Sequence, residues 1–190
     1  MTTPTNDTTG TGAATDQLPL KPGLWLVDSN HSSVTFAIRH LGLAKVRGRF
    51  NVFDARLEVG PTLADTRLEA TVQMASIDTS NTDRDAHVRS ADFLDVERFP
   101  EMRFVSTQIG GSNESWRVDG HATVKGETRP FSLDVEFGGI ADFMENRHAG
   151  FSASGQLRRK DFGLTFGPMA DAGLGNVISF DLDVELVEPR

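Results

Sequence analysis

From Leu24 to the end of the chain, apolar and polar residues alternate with a period of two rather than 3.6. Leu68, Ala70, Val72 and Met74 fall on one side of their segment, opposite Arg67, Glu69, Thr71 and Gln73. Trp116, Val118, Gly120, Ala122 and Val124 oppose Arg117, Asp119, His121 and Thr123. Phe131, Leu133, Val135 and Phe137 oppose Ser132, Asp134 and Glu136, and the rhythm recurs through Phe151, Leu157, Phe180, Leu182 and Val184. In "RGRFNVF" it assigns Gly48, Phe50 and Val52 to one side and Arg47, Arg49 and Asn51 to the other. Segments with one oily and one wet face belong to antiparallel sheet solvated on one side. Parallel sheet, covered on both faces, reads as unbroken apolar runs instead.

Turn signals separate the segments: Gly60-Pro61, Gly110-Gly111-Ser112-Asn113, Lys125-Gly126-Glu127 and Gly138-Gly139. Only residues 82–95 read as a helix. There Thr82 with Asp85 resembles a capping box, Asp83 and Asp85 suit the dipole of a first turn, and Ala86, Ser90 and Phe93 share a stripe. One short helix cannot cover the oily face of about eight strands, so the sheet must pair with another or close on itself. Closure also removes the edges. The expected fold is all-β: an eight-stranded antiparallel up-and-down barrel with one short helix, a size that can enclose a single small ligand.

Composition narrows the function. A length of 190 residues suits one domain with a substantial core, expected over 21–190, behind a disordered Thr- and Gly-rich tail at 1–20. That tail has no basic start and no apolar run, so it does not read as a signal peptide, and a cytoplasmic location is the expectation. The net charge of −8 disfavours nucleic acid and acidic membrane surfaces as long-range partners. No run approaches the ~18 to 20 apolar residues that a membrane-spanning helix needs. Without cysteine, disulfides, thiolate metal sites and thiol catalysis fall away. Thirteen phenylalanines with no tyrosine supply aromatic bulk almost without hydroxyls, as suits an interior with few polar handles.

Two of the five histidines, His31 and His40, bracket one segment. Their odd separation projects them to opposite faces, roughly 30 Å apart along a strand, so one ion cannot bind both and no metal site is expected. By parity His40 shares the oily face with Phe36 and Ile38, as a structural histidine or as the polar point at the rim or floor of a cavity. Arg84 and His87, neighbours on the helix, either form plain helix surface or cap a pocket mouth and meet a head group. Arg89 is a further head-group candidate. The expected lining of a barrel cavity is Val34, Phe36, Ile38, His40 and Phe50, then Phe93, Phe104, Phe131 and Leu133, then Phe151, Phe162 and Phe180.

Lys45, Arg47, Arg49, Arg158 and Lys160 read as outward charge, paired across strands with acidic rows such as Asp181, Asp183 and Glu185. The glycine-rich stretch 162–177 breaks the rhythm and reads as a mobile loop at the barrel mouth or an inert connection. Its Gly173-Leu174-Gly175 lacks the spacing of a nucleotide loop. No nucleophile–base pair, close-set carboxylates or cofactor motif is present, so no cofactor is expected. The enzymatic alternative is isomerisation or another transformation of a lipid in the same cavity, with His40 or His87 as the acid–base group.

Four stretches, in order, carry a more specific signal: "WLVDSNHSSVTFAIRHLGLAKVRGRF", "SIDTSNTDRDAHVRSADFLDVERFPEMRFVST", "TVKGETRPFSL" and "GFSASGQLRRKDFGL". Together they resemble the YceI-like family of bacterial proteins over about residues 24–187. The resemblance implies a lipocalin-like barrel with an elongated apolar tunnel. It also implies a long-chain isoprenoid lipid or quinone as partner, a homodimer, and binding rather than catalysis. Many family members carry a secretion signal, which this reading of the N-terminus does not find.

Overall fold

The computed structural model describes residues 17–112, 114–167 and 171–188. Among the described residues eleven strands form one antiparallel sheet. In chain order they are β1 (Gly23–Val27), β2 (Ser33–His40), β3 (Ala44–Phe50), β4 (Phe53–Val59), β5 (Arg67–Gln73) and β6 (Ile77–Asp78). After the helix α1 (Thr82–Arg89) come β7 (Glu101–Ser112), β8 (Ser115–Val124), β9 (Glu127–Phe143), β10 (Asn146–Arg158) and β11 (Leu174–Val187). Three pairs of these are halves of single kinked strands. β1 and β2 both lie along β11, while β4 pairs with β1 and β3 with β2. β5 then pairs with β4 and β6 with β3. The walls therefore number eight, each beside its neighbour in sequence, and the β1–β11 pairing closes the ring. The expected up-and-down barrel is the fold.

The kinks are where simple alternation fails. Val52, assigned to the inner face, is 54% exposed, and Phe53 opens β4 packed against the core. Ser76 is the cause: its carbonyl accepts from Asn51 N–H at 3.2 Å and its Oγ from Val52 N–H at 3.0 Å. These bonds draw the backbone out of the ladder and restart it with opposite parity, so Phe50 and Phe53 both point inward. Gly138-Gly139, read as a turn, lies inside β9 as a bulge: the register slips opposite Gly150 and Phe151, and Gly139 has φ +121°. Likewise Gly110, Gly111 and Ser112 belong to β7, while Asn113 is outside the described residues.

The helix is shorter than the expected 82–95. Its N-cap is Asn81, whose side chain accepts from Arg84 N–H at 2.9 Å, so Thr82 does not cap it. Asp85 is buried and accepts instead from the backbone and hydroxyl of Thr79. The helix stops at Ser90, whose hydroxyl donates to the His87 carbonyl at 2.7 Å, a local bond that competes with helix continuation. Turns then carry the chain through residue 95.

The upper end of the barrel carries the β2–β3 turn, residues 79–100 with α1, the Lys125-Gly126 turn and residues 159–167 and 171–173. The lower end carries residues 17–22, 60–66 and the β9–β10 turn. Most of the expected tail, residues 1–16, lies outside the described residues. Leu18 and Leu20 do not belong to a tail, because both pack into the core of the lower end. Trp25 above them is 1% exposed and donates from Nε1 to the Lys21 carbonyl at 3.0 Å.

The outward cations do face solvent but do not meet the acidic row of β11. Lys45 stands opposite Arg39, Arg47 opposite Ala37, and Arg158 opposite Val177. Asp181 and Asp183 face Thr35 and Ser33 on one side and Ser154 and Ser152 on the other. The expectation treated charge sign as a guide to strand neighbours; the ring order makes β10 and β2 the neighbours of β11, and their outward residues there are small and neutral.

Candidate functional site

The barrel interior holds two apolar cavities in line along its axis. The upper is about 360 Å³ and the lower about 160 Å³. Phe50, Met102 and Phe180 line both, so three side chains partition what is otherwise one channel. Inward glycines account for part of the hollow. A Cβ on Gly48 would lie 2.5 Å from Phe36 Cζ, one on Gly120 2.7 Å from Phe104 Cε2, and one on Gly155 2.7 Å from Phe131 Cζ. Each ring therefore lies against bare backbone rather than reaching across the channel. Phe131 meets Phe104 and Phe180 edge-on at 5.7 and 6.2 Å, which holds the rings around the wall.

Of the residues expected to line a cavity, Phe36, Ile38, His40, Phe93, Arg84 and His87 border the upper lobe. Val34, Phe104, Phe131, Leu133 and Phe151 border the lower, with Phe50 and Phe180 at the partition. Phe162 borders neither. It is 2% exposed, at the end of a 3-10 turn (Arg159–Phe162), where it fills solid core. Phe166 lines the upper lobe instead, stacked on Phe93 at 4.3 Å and tilted against His87 at 5.0 Å. Parity does not extend through an irregular segment, so nothing in the sequence distinguished these two phenylalanines.

The upper lobe's polar side chains are His40, Thr79, Arg84 and His87, while the lower lobe has only Asp54 and the Trp116 indole among the described residues. The Arg84 guanidinium is committed locally, donating to Thr79 Oγ1 and to the Thr79 carbonyl, both at 2.7 Å. Arg89 donates to the Ile77 carbonyl. Both arginines considered for a head group thus tie α1 to β6 or to Thr79 just after it. His87 stands at the rim, its Nε2 3.7 Å from the Asp92 carboxylate. His40 is exposed at the end of β2 and faces the same mouth.

Arg159 is the residue the sequence reading passed over. Parity placed it inward beside Leu157, and a cation on an oily face is itself a signal. It is fully buried and donates to the carbonyls of Leu164 at 2.7 Å, Gly175 at 2.8 Å and Leu174 at 2.9 Å, and to the Asp171 carboxylate. Lys160 also reaches Asp171, at 2.8 Å. These bonds from Arg159, then Lys160, hold the Asp171 carboxyl well below the usual carboxylate range. The segment over the mouth is thereby pinned at both ends; residues 168–170 within it are outside the described residues.

His31 and His40 point apart, as their spacing requires. His31 lies on the outer wall, its Nδ1 2.9 Å from Asp28 and 3.9 Å from Glu185. Each of these three residues offers one ligand atom within 4.8 Å of the others, and within the group His31 and Asp28 share one hydrogen bond. Glu185 is also bonded by His148 Nδ1 at 2.7 Å. His121 is exposed.

An eight-walled barrel with a lengthwise apolar channel is matched in sequence by the YceI-like domain, over residues 25–186. The chain belongs to the YceI-like family. A UPF0312 protein of Enterobacter is 36% identical over 162 residues, covering 83% of this chain and 80% of its own length. One from Staphylococcus epidermidis is 37% identical over 164 residues, covering 83% and 94%. Among solved structures, the Campylobacter jejuni YceI protein superposes with a TM-score of 0.68 at 29% identity, over 80% of this YceI-like chain and 91% of its own. BcnA of Burkholderia cenocepacia gives 0.72 at 22% identity, covering 86% and 99%. A polyisoprenoid binding domain from Saccharophagus degradans gives 0.65 at 11% identity, covering 87% and 98%. These last two show the shared fold.

Proposed function

We propose that this chain holds a long-chain apolar lipid, a polyisoprenoid or isoprenoid quinone, lengthwise in its barrel as a carrier or sequestering protein. The observation that carries the reading is the pair of collinear apolar lobes, the lower without a polar side chain at its surface apart from Asp54 and the Trp116 indole. A chain threading both would be stripped of water along its length. Burying ~400 Å² of apolar surface contributes on the order of 10 kcal/mol. After association costs of roughly 4 kcal/mol, about 6 kcal/mol remains, a Kd of tens of micromolar that tightens as more chain is enclosed. The polyisoprenoid-binding neighbour of the same fold supports this ligand class.

Binding rather than catalysis is favoured because, among the described residues, the only polar side chain the mouth histidines meet is the exposed Asp92, 3.7 Å from His87. The buried carboxylate nearby, Asp85, is already taken by Thr79, and Arg84 by the same residue. The test is purification without detergent, organic extraction and mass spectrometry. A long-chain isoprenoid at near-stoichiometric level is expected; an extract with no lipid, from protein that also takes up no long-chain probe, overturns the reading. Self-association into a homodimer is part of the same proposal and is read by sedimentation velocity.

A further inference from the structure

Among the described residues three cations of the β2–β3 hairpin, Arg39, Lys45 and Arg47, cluster towards its turn without an acidic partner. Lys45 lies directly across from Arg39, a like-charge cross-strand pair that disfavours the sheet by itself. Many other outward arginines are matched: Arg49 on the same hairpin with Asp78, Arg103 with Glu101, Arg117 with Asp119 and Asp134, and Arg147 with Asp142. Arg56 on β4 and Arg67 on β5 also lack an ion pair within 4.0 Å among the described residues. Among the described residues Arg39, Lys45, Arg47 and Arg158 have no ion pair within 4.0 Å. The neighbouring Asp171 is consumed by Arg159 and Lys160, and Asp161 is the exposed carboxylate on that side.

The turn that joins these strands is apolar where turns are normally polar. Leu41 and Leu43 are 62% and 83% exposed, and Leu41 takes a left-handed backbone at φ +52°, a conformation better suited to Gly or Asn. The turn stands at the rim of the channel. Leu41 N–H donates to the Gly173 carbonyl at 2.7 Å, and His40 and Leu174, its flanking neighbours, line the upper lobe. At the lower end Phe143 and Met144 are also exposed, but there Arg147 is neutralised by Asp142 at 3.0 Å and Phe143 packs edge-on against His148.

We propose that the Leu41-Gly42-Leu43 turn and the cations Arg39, Lys45 and Arg47 behind it dock the channel mouth on an anionic lipid bilayer. The inference rests on the lipid-binding reading, since a bilayer is where such a ligand is taken up or released. The leucines enter the headgroup boundary while the cations sit over lipid phosphates. The chain's net charge of −8 is no obstacle at contact, because screening confines each charge to within about 8 Å at physiological ionic strength.

The test is flotation with vesicles of phosphatidylcholine alone or mixed with phosphatidylglycerol. The protein is expected to bind the mixed vesicles, to bind phosphatidylcholine weakly, and to release at high salt. Each cation near an anionic surface is worth about fivefold in partition, so K45E/R47E should lose at least about 25-fold on mixed vesicles. L41S/L43S should lose about tenfold or more on both. Equal binding to both vesicle types, or loss only in F143S/M144S, overturns the proposal. Uptake of parinaric acid from solution, without vesicles, reads the channel separately. It should persist in both mouth variants, and its failure in the wild-type protein would sink the lipid-binding reading rather than the docking one.

Discussion

The two ends of the channel are lined alike but closed differently. The lower lobe is enclosed by strands apart from Leu18 of the segment 17–22, and Leu20 and Trp25 pack into that end as ordinary core. The upper lobe is roofed by segments outside the ladder: α1, the turns after it, and residues 163–167 and 171–173. A ladder end can open only by breaking many bonds together, whereas the roof hangs on a few polar anchors at Thr79, Arg159 and Asp171. Opening therefore belongs to the upper end, and the anchors set its stability.

The strongest way to break this contrast is Arg159→Met. It leaves the Leu164, Leu174 and Gly175 carbonyls without their donor, at ~1 to 3 kcal/mol for each that stays dry, so a total loss of about 3 kcal/mol or more is expected in urea unfolding. Hydrogen exchange should accelerate at 163–167 and 171–173 before β7 and β8. A loss below about 1 kcal/mol would mean that Phe166 stacking, not the arginine, holds the roof. Next comes Ala153→Phe, which places a ring in the lower lobe. It should weaken a long-chain fluorescent lipid tenfold or more, about 1.4 kcal/mol, and leave a short-chain analogue unaffected. Equal weakening of both would show that the lobes act as one space.

The two tryptophans sharpen the comparison at about 1 kcal/mol. Trp25 Nε1 has its acceptor in Lys21, while Trp116 Nε1 is buried without a partner among the described residues. Trp25→Phe should lose about 1 kcal/mol by orphaning that carbonyl. Trp116→Phe removes an unpaired donor from the lower lobe, so delipidated protein should be unchanged or more stable by up to about 1 kcal/mol. Thermal unfolding of the two variants side by side distinguishes them.

Most of the fold was legible because a closed sheet enforces one rule along the chain: inward residues must be apolar. Parity alone carried Phe36, Phe131, Leu133 and Phe180 to the channel wall. Parity fails where a distant group breaks the ladder, as Ser76 does at Val52, or where a glycine adds a residue to it, as at Gly139. It also cannot see across strands. Which cations face which anions depends on ring order and register, so the expected pairing of Lys45 and Arg47 with the row on β11 did not form. Arg159 was readable in principle as a charge at an inward position, but its partners lie in a segment with no periodicity to predict them.

The smallest effect concerns the outer wall, where the break between β1 and β2 is latched by an exposed pair rather than a buried one. The hydrogen bond to Asp28, then the attraction of Asp28 and Glu185, raises the His31 pKa above 6.5. The same bond, with the Asn30 N–H, lowers that of Asp28 below 3.8. A raised histidine contributes stability that is complete below its unfolded value and lost as pH rises through the folded one. A lowered carboxyl contributes stability that is present above its unfolded value and lost as pH falls through the folded one. The latch is therefore whole between the ordinary carboxylate and histidine ranges and weakens on either side. Because the His31 side chain is 66% exposed, the effect belongs to the titration and not to the melting curve. NMR of the ring protons should show the His31 midpoint falling towards 6.5 in Asp28→Asn. An unmoved midpoint would assign the shift to Glu185, 3.9 Å away, and make β11 rather than the turn the partner that holds this wall together.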